Sequence, residues 1–447
     1  MMKQLLIVIE SKIFHHIFLL FSIFIFGFII YDYFSFIWIN SVNLIYWDQW
    51  DFYNTLFKNQ SYLDTFLTIH GPHRQGLSFV IDRIILDFTS WNNKWESIFI
   101  GILYFIASLI ALLTLKYNKK IIDGLDIIVV GLIFLNKNLL ETCLFAANPA
   151  HGAFPILGIV FIIYYFFKNK YSYFKIKDLF IIIFLTYLTT FSGFGVFIGL
   201  VIPFVYFFLL FFSPKVKIRS NVFRIIFFFL SFLPILLFFI NYQFESANPN
   251  FKFPHDPLIE YFSFIGYMLA NLFSANGYYV FGEVILILLI ISIIYSIFKL
   301  YYSSKNTVIH LVNLTIASYL IVFLLNVAIG RVSLSLRYGE ANRYLPYMFL
   351  FYFLIFLYIE QIKYIKSKLF LKLLLIFVLS LSFFNSNTFE EELYSHSIKK
   401  HNFIACMRDS DDLKKCNESY PIYPELEPIV HKVEFLKENK LNFYSNF

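Results

Sequence analysis

Apolar runs long enough to cross a lipid bilayer recur along almost all of the 447-residue chain, separated by short polar connections. That repetition limits the fold more than any other feature. A hydrocarbon core of about 30 Å needs about 20 apolar residues of helix, since within it each backbone N–H and C=O must bond inside its own segment. The runs lie at 13–32, 97–115, 121–141, 152–167, 179–191, 196–212, 225–243, 284–300, 307–329, 344–362 and 369–386. About eleven transmembrane helices follow. At 59% hydrophobic and 15% charged, the chain has too much apolar surface for any water-soluble core to hide. The expected class is an all-α polytopic membrane protein.

The charge of +7 then reports topology and not a nucleic-acid partner. Lys116, Lys119 and Lys120; Lys168, Lys170, Lys175 and Lys177; Lys215, Lys217, Arg219 and Arg224; Lys299 and Lys305; and Lys363, Lys366 and Lys368 occupy alternate loops. Those loops are expected in the cytoplasm, with the N-terminus. The run at 13–32 is too long for a signal peptide and has no small-residue cleavage site, so a retained first span is expected. This alternation requires 261–275 to lie along the outer interface as an amphipathic helix. The turn Ser192-Gly193-Phe194-Gly195 reads as a tight hairpin or a broken helix. A bias to Phe, Ile, Lys and Asn is that of AT-rich bacterial genes, which points to a bacterial inner membrane. The expected organisation is a membrane domain, 1–386, with a first periplasmic loop at about 38–96, and a small periplasmic C-terminal domain, 387–447. Cys406 and Cys416 flank a polar segment of that tail, and in an oxidising compartment their spacing suits a small disulfide loop.

The first outer loop concentrates the chemistry. It reads Tyr46-Trp47-Asp48-Gln49-Trp50-Asp51, then His70-Gly71-Pro72-His73-Arg74, then an amphipathic segment whose Leu77, Val80, Ile81, Ile84 and Phe88 recur at helical spacing opposite Asp82, Arg83 and Asp87. A carboxylate just beyond the first span can take a proton from a hydroxyl acceptor, and Asp48 is the leading candidate, with Asp51 beside it. Arg74 offers a planar fork of donors to a phosphate, and His70 or His73 can assist. The blander readings are an aromatic belt at Trp47 and Trp50 with solvated acids beside it, and Arg74 as a headgroup anchor. A zinc pair at His70 and His73 is disfavoured, because Gly-Pro separates them off any helical turn.

This loop resembles that of the GT-C superfamily of membrane glycosyltransferases, which includes protein O-mannosyltransferases, lipid A aminoarabinose transferases and oligosaccharyltransferases. Asp48-Gln49 stands where that group commonly has an Asp-Glu pair, and Pro72 to Arg74 where it has a Lys-Pro-Pro-type turn. Gln49 in place of the second acid and Arg74 after the proline are departures from the pattern. The motif covers about the first hundred residues and the rest resembles the group by topology alone. The resemblance implies transfer of a sugar from a polyprenyl-phosphate donor, and a further acid at the end of the second outer loop, where Glu141 stands. A salt bridge between Glu141 and Lys137 is the structural alternative.

Arg331, Arg337 and Arg343 break the positive-inside pattern on the outer face and so suggest an anionic ligand, such as a lipid pyrophosphate or an acidic sugar. Pairing with Glu340, Asp48 or Asp51 is the alternative. The leading expectation is a glycosyltransferase that moves a sugar from a polyprenyl-phosphate carrier to an envelope glycan, lipid or protein acceptor, with membrane lipids as surroundings. No metal-ligand cluster is evident, and a divalent cation stays open as a companion of the phosphate. An O-antigen or capsule polymerase is the nearest alternative. A flippase or transporter fits less well, since the charges cluster at one boundary and not within spans.

Overall fold

The computed structural model describes residues 2–119, 121–170, 174–213, 221–243, 251–302, 306–384 and 387–446. Lys120, Lys215, Lys217, Arg219 and Lys305, which carry part of the loop-charge reading, lie outside the described residues. Helices make up most of the described chain, interrupted by a hairpin that pairs Ile69–His70 with His73–Arg74. Among the described residues, seven helices are long and apolar enough to cross a membrane: His16–Asn40, Asn93–Lys119, Gly193–Phe211, Asn221–Phe238, Tyr279–Tyr302, Thr307–Arg331 and Asn342–Ile359. The fold is therefore all-α and of membrane type.

The other four apolar runs are helical but differ in length or charge. Gly124–Phe134 stops after 11 residues, where Asn136 caps a separate turn. Ala153–Lys168 and Ile176–Thr190 have 16 and 15 residues. Ile365–Phe384 has 20, but its first half carries Lys366, Lys368 and Lys372. Hydropathy counts apolar residues and is blind to where a turn ends a helix, so the runs and the helices diverge there.

Burial follows the logic of a lipid-facing protein. On Met2–Asn40, Leu20, Phe24, Phe28 and Tyr31 point outward while Ser22, Ile29, Tyr33 and Ile37 pack inward. The short helix Gly76–Phe88 behaves the same way, with Ile84 and Phe88 exposed and Asp82 and Arg83 buried. Ile84 and Phe88 of its apolar stripe face away from protein, as in a helix lying on a bilayer surface, while Phe79 and Leu86 pack inward.

Two hydrophobic cores result. The larger joins the long helices; the smaller joins Ile45, Trp50, Phe52, Phe79 and Trp91 of the first loop to Phe403, Cys416, Ile422, Val433 and Leu436 of the C-terminal unit. The C-terminal unit therefore shares its core with the first loop and does not pack by itself. Cys406 and Cys416 are disulfide-bonded within it. Lys400, on the helix Asn387–Ser410, reaches into the bundle and donates to the carbonyls of Leu144 and Phe145, each at 2.8 Å.

Charge is segregated to the two ends of the bundle. At the far end of Asn93–Lys119, Lys119, Lys368 and Lys372 meet Asp123, Asp126 and Glu360. The first loop, Glu141 and the arginines of the last loop lie at its near end. The 27-residue helix between them spans roughly 40 Å at 1.5 Å per residue.

Candidate functional site

The near end is held by close backbone contacts. A Cβ added to Gly193, at φ +51, would lie 2.1 Å from the carbonyl oxygen of Ala150, and one added to Gly76 would lie 2.0 Å from that of Phe191. Only glycine allows these approaches. They bring the turn Gly193–Gly195, the loop carrying His151 and the first loop into one cluster, with the Ser78 and Ser192 hydroxyls 2.6 Å apart.

Asp48 and Asp51 flank a buried anchor. Gln49 donates from Nε2 to Glu96 Oε2 at 2.8 Å and to the Ala147 carbonyl at 3.2 Å, while its Oε1 accepts from the Tyr46 N–H at 3.0 Å. Glu96 also accepts from Tyr53 Oη at 2.7 Å and Asn93 Nδ2 at 2.9 Å. Burial, with the Glu96 carboxylate nearby, pushes the Asp82 carboxyl well above the usual range. With Gln49 fixed inward, Asp48 is exposed and Asp51 half-buried. Asp51 accepts from the Tyr423 hydroxyl through both oxygens, at 3.0 Å each.

Three imidazoles form the next layer. Gly71, at φ +56, and Pro72 turn the hairpin so that His70 and His73 pair across it. The His151 ring lies 6.3 Å from that of His70 and 5.6 Å from that of His73, which packs at 4.1 Å on Phe194. Burial, aided by the nearby Arg331, pushes all three below the usual imidazole range, His151 to about 3. They are neutral at pH 7. His73 Nδ1 and His151 Nε2 are buried with no hydrogen-bond partner among the described residues.

The cations come from the last loop. Arg331 ends the helix Thr307–Arg331 and is an electrostatic neighbour of all three histidines. Arg343 bridges to Glu141, Nε to Oε1 at 3.1 Å, and also feels Asp48 and His151. Asp48 and Asp51 in turn act on His70. One end of the bundle thus gathers Asp48, Asp51, His70, His73, His151, Glu141, Arg331 and Arg343.

Several expectations need correction. Arg74 is not directed at this cluster: its Nε, Nη1 and Nη2 donate to the carbonyls of Phe238, Leu67 and Ile240 at 3.0, 2.8 and 2.6 Å, and Phe191 and Phe238 flank the guanidinium. Those bonds tie the first loop to the chain at 238–240 and take three of the five guanidinium N–H donors. Arg337 is exposed and is absent from the leading charged neighbours of the three histidines. Glu141 takes Arg343 and not Lys137, which pairs with Asp32 at 2.9 Å and Glu390 at 3.4 Å. Sequence reasoning missed the roles of Tyr423, Gln49 and Glu96. His151 lies in the segment Asn148-Pro149-Ala150-His151, whose polar residues beside an apolar run are the signal that could have found it. Among the described residues no group of three or more His, Cys, Asp or Glu side chains is arranged to hold a metal ion.

Arg74→Lys should therefore lower thermal stability, by about 1–3 kcal/mol for the lost carbonyl bonds, and leave affinity for an anionic lipid unchanged. Melting in detergent alongside lipid-phosphate binding checks this. Weaker binding at unchanged stability would return Arg74 to the site.

No family model, curated protein or solved structure matches this chain.

Proposed function

We propose that the chain is a membrane glycosyltransferase of the GT-C type, moving a sugar from a polyprenyl-phosphate donor to a hydroxyl on an envelope glycan, lipid or protein. The observation that supports this is the meeting of an exposed carboxylate, Asp48, with Arg331, Arg343 and neutral imidazoles from segments far apart in sequence. In the reaction Asp48 takes the proton of the acceptor hydroxyl, whose oxygen forms the new bond to the anomeric carbon. The bond from that carbon to the phosphate oxygen breaks, and the lipid phosphate leaves with the electron pair. Arg331 and Arg343 offset the charge that develops there. His70, His73 and His151 donate or accept hydrogen bonds without adding charge.

In this reading the other four apolar helices complete about eleven spans. The lysine-rich end and the N-terminus face the cytoplasm, and the site and C-terminal unit face the periplasm of a bacterial inner membrane. The helix Leu345–Ile359, which starts just after Arg343, also floors an apolar groove of about 590 Å³ with Phe351, Tyr352 and Ile355 in its wall. That groove is distinct from the charged cluster and suits the hydrocarbon tail of the carrier.

The test is transfer of labelled sugar from a synthetic polyprenyl-phosphate donor to envelope acceptors by the purified chain in lipid nanodiscs. Labelled product that requires the chain is expected. Donor binding without transfer to any acceptor fraction would overturn the reading. Products that lengthen by whole repeat units would favour the polymerase, and loss of transfer on adding a chelator would bring in a divalent cation.

A further inference from the structure

We propose that Ile422 and Tyr423 of the C-terminal unit are positioning residues for the Asp48–Asp51 segment, presented to it by Asn417 beside the Cys406–Cys416 disulfide. The role they serve rests on the transferase reading above; the restraint itself does not.

Trp47, immediately before Asp48, sits at φ +51. A bulky residue in the left-handed region is an outlier that persists only when its surroundings hold it there. Two contacts do so. The Trp47 N–H donates to the Ile422 carbonyl at 2.9 Å, and its ring lies 5.9 Å from that of Phe145. The next residue along, Tyr423, donates its hydroxyl to Asp51. Consecutive residues of the C-terminal unit thus hold both ends of a five-residue segment. Asp51 is occupied by that bond, which leaves Asp48 as the open carboxylate.

Ile422 and Tyr423 are themselves fixed by one side chain. Asn417 Oδ1 accepts from the Ile422 N–H at 2.8 Å and the Tyr423 N–H at 3.4 Å, and its Nδ2 donates to the Tyr423 carbonyl at 3.1 Å. Asn417 is 7% exposed, so these bonds form away from competing water. It follows Cys416, which is bonded to Cys406 on Asn387–Ser410. That helix is pinned by Lys400 to the carbonyls of Leu144 and Phe145, and the Phe145 ring is the one Trp47 leans on. The unit holds the segment directly through Ile422–Tyr423 and through Lys432, which donates to the Trp50 carbonyl, and indirectly through Phe145.

The alternative is that the C-terminal unit merely covers the first loop. It predicts that loosening the turn changes stability but neither local order at 46–53 nor turnover. Hydrogen exchange and transfer kinetics on the full chain in nanodiscs separate the two, with Tyr423→Phe, Asn417→Ala and Asn417→Asp compared with the wild type. In Asn417→Ala, amide exchange across 46–53 should rise about tenfold or more, with the helix Asn93–Lys119 unchanged. Turnover should fall about tenfold or more in Asn417→Ala and Tyr423→Phe, with the donor KM held within about twofold. Asn417→Asp keeps the acceptor oxygen but sets a second oxygen against the Tyr423 carbonyl, so it should recover only part of both. Unchanged exchange at 46–53 would overturn the proposal, and so would full turnover in both variants of an active wild type. A wild-type chain that transfers no sugar while 46–53 responds as stated would sink the transferase reading and leave the restraint standing.

Discussion

Asp48→Asn should cut sugar transfer by about 10²–10⁴-fold, the usual contribution of a positioned general base, with protein level and donor affinity near those of the wild type. The structure makes this substitution a clean one. Asp48 is exposed, and although it precedes the short helix Gln49–Phe52, its side chain makes no capping hydrogen bond. Asparagine therefore costs no cap and no buried partner, and the stability change should stay within about 0.5 kcal/mol, as for other surface substitutions. What disappears is a basic oxygen and one negative charge beside His70 and Arg343. Loss of that charge beside the Arg343 guanidinium can only help an anionic donor bind, so a fall in turnover cannot be traced to weaker donor binding. Asp51→Asn should be milder, because an amide oxygen still accepts from Tyr423. Measured kcat and donor KM separate these effects. Full activity in Asp48→Asn would pass the role to Asp51 or Glu141. Full activity in all three amides would end the general-base mechanism, and a polymerase site built on Arg331 and Arg343 would become the better reading.

The membrane class was legible because apolar run length and lysine alternation depend on local sequence alone. Which arginines serve the site was not. Arg74 and Arg331 both stand next to apolar segments, and nothing near Arg74 in sequence announces that the carbonyls of Phe238 and Ile240, over 160 positions away, take its donors. Gln49 illustrates the same limit. As a departure from an acidic pair it suggested a weakened motif, yet its amide satisfies a backbone N–H, a carbonyl and the Glu96 carboxylate together, which a second carboxylate could not do. The C-terminal unit did carry a signal. Phe403, Met407, Ile422, Ile429, Val433 and Leu436 are spaced through a polar tail, and such residues need a core. Only the tertiary structure reveals that the first loop supplies the other half of it, and hence that Tyr423 meets Asp51.

Lys372→Met should lower stability by about 3–5 kcal/mol, the cost of leaving buried carboxylates without their partner. Lys372 donates to Asp126 at 2.7 Å and Asp123 at 2.9 Å, and forms an ion pair with Glu360 at 2.6 Å. The side chains of Asp126 and Glu360 are wholly buried and that of Lys372 is 3% exposed. Lys119 also touches all three acids and Lys368 touches Glu360, so three ammonium groups balance three carboxylates. Methionine keeps the stem's packing and removes only the charge, leaving three acids to two lysines. The second substitution tests the cause: Lys372→Met with Asp126→Asn restores the balance and should regain a good part of the loss, since a buried pair removed together costs far less than one partner removed alone. The cluster joins Asn93–Lys119 and Gly124–Phe134 to the ends of Leu345–Ile359 and Ile365–Phe384, so its loss should show as earlier melting in detergent and faster proteolysis. Sugar transfer below the melting temperature should be unaffected, because the site lies at the opposite end of the bundle. Wild-type melting in Lys372→Met would mean that water or lipid headgroups already solvate these carboxylates. A fall in transfer with unchanged melting would instead couple the two ends of the protein and reopen the transporter reading, in which such a cluster would act as a gate.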